Sequence, residues 1–330
     1  MRVPFDDLAA GLERVLIKKG FEASRASLSA KLFAEASLDG VYSHGLNRFP
    51  RYLAMIDNGA IDIEAQAVKV GGFAGVEQWD GQAGPGNLNA HQCMGRALEL
   101  AGEHGLGAVA LRNTNHWMRG GTYGWQAADA GCVGMCWTNT NQNLPPWGSS
   151  EAKIGNNPII MSMPGEKAHM VLDMAMSQFS YGALEKYRKA EERLPVPGGF
   201  DREGNITDNP AEIEATTRPL PIGFWKGSAL SIMLDVIAAA LSGGNATHKI
   251  SPDPLKETGL SQFFIAISVV TQKELADQIM DQVMTHLHAA TPIPGEKVYY
   301  PGERTLQRRQ ENLKEGIPVD EEIWQMVVAY

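Results

Sequence analysis

Apolar residues at helical spacing predict three short helices in the first 60 residues of the chain. The first helix carries its apolar face on Phe5, Leu8, Leu12, Val15 and Leu16. The second is predicted to begin at Ser24 as its N-cap and to continue to Leu38, because Gly40 follows as a stop. The third has its apolar stripe on Phe49, Leu53 and Ile56. The chain therefore begins with a helical region.

Beyond this region, strand-like and helix-like runs alternate along the chain. Strands are predicted over residues 68–70, 108–111, 133–137, 159–163, 170–174 and 263–270. Helices are predicted over residues 97–103, 120–130, 179–188, 228–241, 273–288 and 306–315. The helix over 228–241 is expected to bury Leu230, Leu234, Ile237 and Leu241. This alternation predicts an α/β fold in which helices cover a largely buried sheet.

The length of 330 residues is sufficient for two domains. We predict a helical region over residues 1–75, joined by C-terminal helices from about 270 to 330. Residues 76–269 would then form an α/β domain that binds cofactor and substrate. The segment 191–222 is rich in Pro, Gly and Asp and is too long for an ordinary connection, which predicts a functional loop or lid.

Composition narrows the class of protein. Hydrophobic residues make up 44% and charged residues 20% of the chain, as in ordinary globular proteins. No run of 18 apolar residues predicts a transmembrane helix. The first residues lack the apolar core of a signal peptide, and three cysteines are too few for a disulfide framework. A cytoplasmic location is therefore expected.

Charge argues against nucleic acid and membrane surfaces as partners. The 29 basic residues are outnumbered by 38 acidic ones, which gives a net charge of −9. The densest basic stretch, Lys186-Tyr187-Arg188-Lys189, is followed directly by Glu191 and Glu192. An acidic protein without a basic face is repelled by phosphate backbones. A small molecule is the expected partner.

Common signatures of nucleotide, nucleophile and metal sites are missing from the sequence. There is no G-x-G-x-x-G after a strand, no P-loop and no G-x-S-x-G. There is also no C-x-x-C or H-E-x-x-H, so no metal site is predicted.

One polar segment joins the second and third predicted helices. It contains Ser43, His44 and Arg48. Histidine titrates near neutral pH and can donate a proton, and the planar guanidinium of Arg48 suits a carboxylate. We therefore predict a proton donor at His44 and a substrate contact at Ser43 and Arg48. The alternative is that Ser43 and His44 are ordinary cap and turn residues.

A second polar segment, 112–121, follows a predicted buried strand. Ligands of α/β sheets bind beyond strand ends, which would bring His116 and Arg119 to an edge of the sheet. The glycines at 120 and 121 would let backbone N–H groups approach an anion. The alternative is a strand-to-helix turn with Asn115 as its N-cap.

Two further polar segments also follow predicted strands. Thr138 and Asn139 open a run of amide and hydroxyl side chains that could orient a hydroxylated substrate, unless the run is a solvated loop. Asp173 ends another strand, where a carboxylate can bind ribose hydroxyls, and Ser177 is a candidate cap for the helix that follows. Trp225 could stack on a ring or simply pack against the core, and Lys226 could contact a phosphate.

Taken together, these segments resemble the malate/L-lactate dehydrogenase family of non-Rossmann nicotinamide-dependent oxidoreductases. The resemblance is carried by GVYSHGLNRFPRY (40–52), ALRNTNHWMRGGTYGWQAA (110–128), PPWG (145–148), IGNNP (154–158), FSYG (179–182), LPVPGGFDREGN (194–205) and FWKGSALSI (224–232). It covers nearly the whole chain. It implies a mixed-sheet, non-Rossmann α/β fold, which agrees with the missing glycine fingerprint.

The resemblance also implies roles for particular residues. His44 matches a proton donor, Arg48 a carboxylate anchor, and His116 a second active-site histidine that some relatives are thought to use as the acid/base. The implied cofactor is NAD, with NADH preferred and NADP open, and the implied assembly is a homodimer. The residues expected to bind the cofactor are Leu172, Asp173, Met174, Ala175, Met176, Ser177, Gln178, Trp225, Lys226, Gly302, Glu303 and Arg304.

The expected activity is NAD(P)H-dependent reduction of a sugar-derived 2-oxo acid, 2,3-diketo-L-gulonate foremost. The family's sugar-acid reductases are expected to carry a histidine where this chain reads Gly302-Glu303-Arg304, and the loop over 140–144 is unusually polar. Malate, lactate, sulfolactate, ureidoglycolate or a cyclic imino acid therefore stay open as substrates. A sensor without activity is disfavoured, because a retired site has no reason to keep His44, Arg48 and His116.

Overall fold

The computed structural model describes all 330 residues of the chain. The helices are α1 (Phe5–Lys18), α2 (Ala23–Leu38), α3 (Phe49–Asp57), α4 (Gly86–His104), α5 (Gly121–Asp129), α6 (Tyr181–Lys189), α7 (Pro210–Thr216), α8 (Trp225–Ser242), α9 (Lys273–His288), α10 (Glu303–Glu315) and α11 (Glu321–Ala329). The strands are β1 (Arg2–Val3), β2 (Val68–Phe73), β3 (Val76–Asp80), β4 (Leu106–Asn115), β5 (Cys132–Thr138), β6 (Ile159–Met163), β7 (Met170–Met174), β8 (Gly199–Phe200), β9 (Ile206–Thr207), β10 (Thr258–Ser268) and β11 (Ile317–Pro318). Short 3₁₀ turns, among them Tyr42–His44, lie between these elements.

Seven strands form the central sheet in the order β2-β3-β4-β10-β5-β6-β7. Only β3 and β4 pair in parallel, and every other neighbouring pair is antiparallel. The predicted α/β fold with a mixed sheet is therefore confirmed. The two remaining sheets are small ribbons, β1 with β11 and β8 with β9.

Helices cover both faces of the central sheet. On one face, α4 and α5 pack over a core in which the rings of Trp117, Tyr123 and Phe264 lie 5.5 to 6.1 Å apart between centroids. On the other face, α8 buries Leu234 and Ala238 against the sheet. The indole N–H of Trp137 donates to the Leu234 carbonyl at 3.1 Å, which fixes α8 on β5.

The expectation that α8 buries four apolar residues is wrong for two of them. Leu234 is buried, but Leu230 and Leu241 are 40% and 42% exposed, because the helix touches the sheet along a narrow stripe. By length and composition α8 could also cross a membrane, and one third of it is buried inside the structure. Its contacts with the sheet are those of a core helix.

The N-terminal helices share a core of their own with the end of the chain. Rings of Phe33, Phe49 and Tyr52 meet between α2 and α3, and Phe33 lies edge-on to Phe49 at 5.3 Å. Val3 on β1 pairs with Ile317 on β11, and Val327 on α11 packs in the same cluster. The two ends of the chain therefore close one helical layer, and the predicted domain boundaries stay a prediction.

Two candidate helix caps, Ser24 and Ser177, are wrong, and so is the alternative that placed a cap at Asn115. The N-cap of α2 is Glu22 rather than Ser24, since its carboxylate accepts the N–H groups of Ser24 and Arg25. The N-cap of α6 is Ser180 rather than Ser177, because Ser177 pairs with Pro221 in a β-bridge. Gly120, and not Asn115, precedes α5.

The segment 191–222 carries more secondary structure than predicted. It contains β8, β9 and α7, and with α6 it builds a small core of Leu184, Leu194 and Ile213. The segment therefore forms a small compact unit with α6, and its function as a lid stays a prediction. Its helix α7, the strand β3 and the helix α11 were not predicted from the sequence.

Close packing of α4 on β4 leads to a stability prediction. A Cβ at Gly107 would lie 2.0 Å from the carbonyl oxygen of Ala97 and 2.6 Å from the Cβ of Leu100. Gly107→Ala should therefore lower the free energy of unfolding by about 1–3 kcal/mol, measured as a lower urea midpoint. A Cβ at Gly102 on α4 would meet no atom within 4 Å, so Gly102→Ala should raise the free energy of unfolding by about 0.4–1 kcal/mol. Equal midpoints for the two variants would contradict this packing.

Candidate active site

Two histidines from distant parts of the chain meet beside the sheet. His44 ends the 3₁₀ turn after α2, and His116 follows the last residue of β4. Their rings are stacked, with centroids 5.7 Å apart and planes inclined by 20°. The structure therefore brings together the two residues that the sequence predicts as the acid/base pair.

Close backbone packing sets the position of each histidine. A Cβ at Gly45 would lie 2.1 Å from the Oγ of Ser37, so only glycine lets this turn pack against α2. A Cβ at Gly86 would lie 2.4 Å from the carbonyl oxygen of His116. The start of α4 therefore packs directly on the backbone that carries His116.

Each ring has one nitrogen bonded within the chain. The Nδ1 of His44 lies 3.0 Å from the Oγ of Ser43. The Nδ1 of His116 accepts the backbone N–H of Met118 at 3.0 Å. The hydrogen bonds of both rings within the chain are made by Nδ1, and neither Nε2 makes one. Both Nε2 atoms are therefore available to a ligand.

The surroundings disfavour a positive charge on either ring. Burial, together with the smaller effects of the nearby guanidinium groups of Arg48, Arg119 and Arg51, lowers the pKa of His44 to about 3. Burial also lowers the pKa of His116 well below its ordinary value, and Arg48 and the neighbouring ring of His44 add to this effect. Both imidazoles are neutral at pH 7 in the ligand-free site.

Arg48 is the arginine of this cluster that lacks an ion-pair partner. Its side chain is half-buried, and burial lowers its pKa to about 10. Arg51, by contrast, donates to the Pro254 carbonyl and pairs with the buried carboxylate of Glu257 at 3.0 Å. The free guanidinium of Arg48 is thus left to bind an anion next to the histidines.

Arg119 does not project freely from the sheet edge, as its sequence position suggested. It is buried in an ion pair with Asp39, whose carboxylate also binds Arg309 at 2.7 Å. Its Nε–H has no partner. A Cβ at Gly121 would lie 3.3 Å from this Nε and 2.7 Å from a carboxylate oxygen of Asp173. A donor and a carboxylate therefore flank the start of α5.

A cavity of about 500 Å³ opens beside Arg119, between α2, α5, the β6–β7 turn and α10. Three buried polar atoms of its lining residues have no hydrogen-bond partner: Arg119 Nε, Trp125 Nε1 and Gln126 Oε1. Buried polar atoms are normally paired, so the chain leaves the hydrogen bonding of this wall of the cavity incomplete. The cavity is polar and large enough for part of a nucleotide.

The segments predicted to bind the cofactor lie next to one another. The Val171 N–H, just before Leu172, donates to the Pro301 carbonyl at 3.0 Å, beside Gly302. The Gln178 N–H donates to Leu220 at 2.8 Å, and the Ile222 N–H donates to Met176 at 2.8 Å. The strip 172–178 therefore runs from the turn at 302–304 to the start of α8.

Side chains along this strip differ in how freely they could meet a ligand. Asp173 accepts the Gly121 N–H at 2.8 Å, and burial raises its pKa against the opposing effect of Arg119. Trp225 is 62% exposed, and Lys226 follows it at the start of α8. Glu303 is engaged with His288, and Arg304 stacks 4.4 Å over the ring of Tyr299.

The side chains of Thr138 and Asn139 make hydrogen bonds within the fold. Asn139 is fully buried, and its amide donates to Asp235 and the Asn245 carbonyl and accepts the Ser261 N–H. The hydroxyl of Thr138 donates to the Asn139 carbonyl. Their predicted substrate contact has no support from these bonds and stays a prediction.

The whole chain matches one known family. Residues 3–328 match the family model described as malate/L-lactate dehydrogenase. The chain belongs to the malate/L-lactate dehydrogenase family. It is therefore an oxidoreductase with the non-Rossmann fold that the sequence predicted.

Individual members of the family are similar over their full lengths. The chain is 46% identical to 2,3-diketo-L-gulonate reductase of Escherichia coli O17:K52:H18, with 100% of each chain covered. Its fold matches sulfolactate dehydrogenase from Methanocaldococcus jannaschii with a TM-score of 0.92 at 26% identity, covering 99% and 95% of the two chains. Malate dehydrogenase from Pyrococcus horikoshii matches with a TM-score of 0.89 at 28% identity, covering 99% and 93%.

Sequence reasoning missed several residues of this family member's site. Asp39 and Glu257 hold Arg119 and Arg51 in place, Arg309 shares the Asp39 carboxylate, and Trp125 and Gln126 line the cavity. No local motif marks them, because each acts on a partner far away in the chain. The structure brings together no group of three His, Cys, Asp or Glu side chains that could hold a metal ion.

The lowered pKa of His44 leads to a prediction about acid stability. An unfolded chain takes up this proton near pH 6.5, whereas the folded chain takes it up near pH 3. Between these values acid therefore favours unfolding, by up to about 1.4 kcal/mol per pH unit. His44→Gln should lose less stability than the wild type between pH 7 and about pH 4, measured by urea midpoints. The exposed His286→Gln is the control, and equal acid sensitivity of all three proteins would contradict a neutral, buried His44.

Proposed function

We propose that the protein reduces a 2-oxo acid with NAD(P)H, and that its substrate is 2,3-diketo-L-gulonate. The observation that carries this proposal is the guanidinium of Arg48, which has no ion-pair partner, beside two histidines that bond within the chain only through Nδ1. An anion-binding group next to proton-donating groups suits a carbonyl that lies beside a carboxylate. The 46% identity with curated diketogulonate reductases supports the same substrate.

Arg48 would bind the substrate carboxylate through its planar fork. This anchor would fix the adjacent carbonyl near His44 and His116, since the carboxylate and carbonyl of a 2-oxo acid are directly bonded. Ser43, next to His44, is proposed to border the same substrate. The role of Arg48 is therefore orientation as well as affinity.

His44 would donate the proton to the carbonyl oxygen as an imidazolium. Burial and, to a smaller extent, three arginines lower the pKa of its ring, and the carboxylate would cancel part of the positive charge of those arginines. Substrate binding would therefore raise the pKa of His44 and draw a proton into the site. A positioned general acid contributes about 10²–10⁴ in rate.

The polar loop over 140–144 favours a hydroxylated acid over a simple one. Thr140 donates to the side-chain amide oxygens of Asn156 and Asn157. Asn143 donates to those of Asn141 and Asn156. The Asn141 N–H also donates to Glu257, the partner of Arg51. The loop is therefore rigid and borders the arginine cluster, where its amides could bind sugar hydroxyls.

The nicotinamide cofactor fits the cavity beside Arg119. Its polar half would be held by the free polar atoms of Arg119, Trp125 and Gln126, with Asp173 near the start of α5. Leu172–Gln178, Trp225–Lys226 and Gly302–Arg304 are proposed to line the rest of the cofactor site. When bound, NAD(P)H supplies the hydride that reduces the carbonyl carbon.

Charge pairing supports NADH over NADPH. The 2′-phosphate of NADPH is usually bound by a free arginine or lysine. Here Asp39 pairs with Arg119 and Arg309, Glu35 also pairs with Arg309, and Asp281 pairs with Lys167. The cavity therefore offers a second phosphate little unpaired positive charge.

A homodimer in the cytoplasm is proposed on the family resemblance. The outer side of α8 supports the dimer, because it exposes a row of large apolar side chains: Trp225, Leu230, Ile232, Met233, Val236 and Leu241. Exposed apolar patches of this kind commonly mark protein interfaces.

The first experiment follows loss of NADH absorbance with 2,3-diketo-L-gulonate as the acid. Malate-, lactate- and sulfolactate-type 2-oxo acids and a cyclic imino acid are run in parallel, each with NADH and NADPH. Fast oxidation with diketogulonate and NADH is expected. Oxidation only with another acid would replace the substrate, and oxidation with none would reject the proposed reaction.

Replacing the proposed proton donor should affect turnover rather than binding. His44→Ala should lower kcat by about 10²–10⁴ with little change in KM for the acid, because the proton is needed only in the transition state. Steady-state kinetics measure both constants, with His286→Ala as an exposed control. Unchanged turnover would remove His44 from the mechanism.

Replacing the carboxylate anchor should affect binding. Arg48→Lys keeps the charge but loses the two-pronged contact, so KM for the acid should rise by roughly tenfold or more. KM for NADH should stay nearly constant. Wild-type behaviour of Arg48→Lys would mean that the carboxylate binds elsewhere.

A further inference from the structure

We propose that His116 is a permanent neutral hydrogen-bond donor to the substrate carbonyl oxygen, and that His44 alone supplies the proton. This division of roles rests on the proposed reduction of a 2-oxo acid. Its physical basis, however, is the contact that each ring nitrogen makes within the chain.

The contact at the Nδ1 of His116 fixes which form of the ring is present. A backbone N–H can only donate, and the N–H of Met118 points at this nitrogen from 3.0 Å. An imidazolium would carry a second N–H there, so that two donors would face each other. The ring is therefore held neutral, with its proton on Nε2.

The backbone that presents this N–H is fixed on both sides. Met118 has a φ of 64°, a left-handed conformation that surrounding structure must enforce. The carbonyl of the preceding Trp117 accepts the hydroxyl of Tyr123 at 2.6 Å, and the following Arg119 is paired with Asp39. The amide cannot easily turn away to admit a proton at Nδ1.

His44 differs because its Nδ1 faces a hydroxyl group. The Oγ of Ser43, 3.0 Å away, can donate to a bare nitrogen or accept from a protonated one. Ser43 therefore tolerates both the neutral ring and the imidazolium. Of the two histidines, only His44 can change its protonation state without losing a hydrogen bond.

No carboxylate offsets this difference by stabilising a charged His116. The charged and titratable groups that act on His116 are Arg48, Arg51 and His44. The nearby carboxylates are engaged elsewhere, Asp39 by Arg119 and Arg309, and Glu257 by Arg51. His116 therefore faces positive groups on one side and a backbone donor on the other.

The reaction balances with these roles. The hydride and its electron pair from NAD(P)H form the new C–H bond, and the carbonyl π pair moves to the oxygen. That oxygen takes the proton of the His44 imidazolium, which becomes neutral. His116 stabilises the developing negative charge through Nε2–H and keeps its own proton throughout, as oxyanion donors do.

A spectroscopic experiment tests the tautomer without any turnover. The full-length protein is labelled with ¹⁵N-histidine, and the ring signals of His116 and His44 are assigned by their loss in His116→Gln and His44→Gln. We expect His116 to show an unprotonated Nδ1 and a protonated Nε2 from pH 8 to about pH 5. A proton on Nδ1 of His116 in this range would overturn the proposal.

Kinetics test the division of roles. His116→Ala should lower kcat by about 10²–10³, whereas His116→Gln, whose amide can still donate, should stay within roughly tenfold of the wild type. His44→Gln should lose about 10²–10⁴ despite its amide, because an amide carries no transferable proton. His286→Gln serves as the control.

Two kinetic outcomes would overturn the inference. One is a His116→Gln enzyme as slow as His116→Ala, and the other is a His44→Gln enzyme that keeps wild-type turnover. If the wild type oxidises NAD(P)H with none of the tested acids, the proposed function is rejected, and with it the donor role of His116. The tautomer spectrum would still report on the geometry in that case, so the two failures are distinguishable.

Discussion

The site depends on one buried carboxylate, that of Asp39. It lies one residue beyond α2 and binds Arg119 from the loop after β4 and Arg309 from α10. His44 follows Asp39 by five residues, and His116 precedes Arg119 by three. Removing the Asp39 carboxylate would be costly, because the buried guanidinium of Arg119 would lose its ion-pair partner. This interaction thus joins the helical layer to the sheet at the point where the two histidines stack.

The arginines around this point explain the character of the site. Two of them, Arg51 and Arg119, are neutralised by carboxylates, and Arg48 is left unpaired. Neutral histidines beside a free guanidinium form a pocket that gains by binding an anion, because the anion both pairs Arg48 and favours protonation of His44. In the proposed reaction, affinity for a carboxylate and readiness to donate a proton would therefore be consequences of the same local charge.

Local features of the fold could be predicted from the sequence, and long-range ones could not. The strands 159–163 and 170–174 and the helix 273–288 match the structure residue for residue, because their hydrophobic patterns are strong. The pairing of His44, Arg48 and His116 was expected from the family resemblance, since spacing alone cannot bring residues 44 and 116 together. Asp39 and Glu257 were not predicted, because the arginines that pair with them are distant in the sequence and only the structure identifies these pairs. The start of α2 was missed because Glu22 is an unusual cap.

The chain lacks the G-x-G-x-x-G fingerprint of Rossmann folds. The only parallel strand pair of the sheet, β3 with β4, shows why. The unit β3-α4-β4 has the form that binds dinucleotides in Rossmann folds, where the turn before the helix receives a phosphate. Here the chain fills that turn itself. A Cβ at Gly86 would lie 2.3 Å from the carbonyl oxygen of Asn115, and the Asn115 amide donates to the carbonyls of Ala83 and Gly84. The N-terminus of α4 thus supports the loop that carries His116 and leaves no room for a phosphate. The cofactor site proposed above lies on the other side of that loop, where α5 begins and the buried polar atoms of Arg119, Trp125 and Gln126 have no partner within the chain.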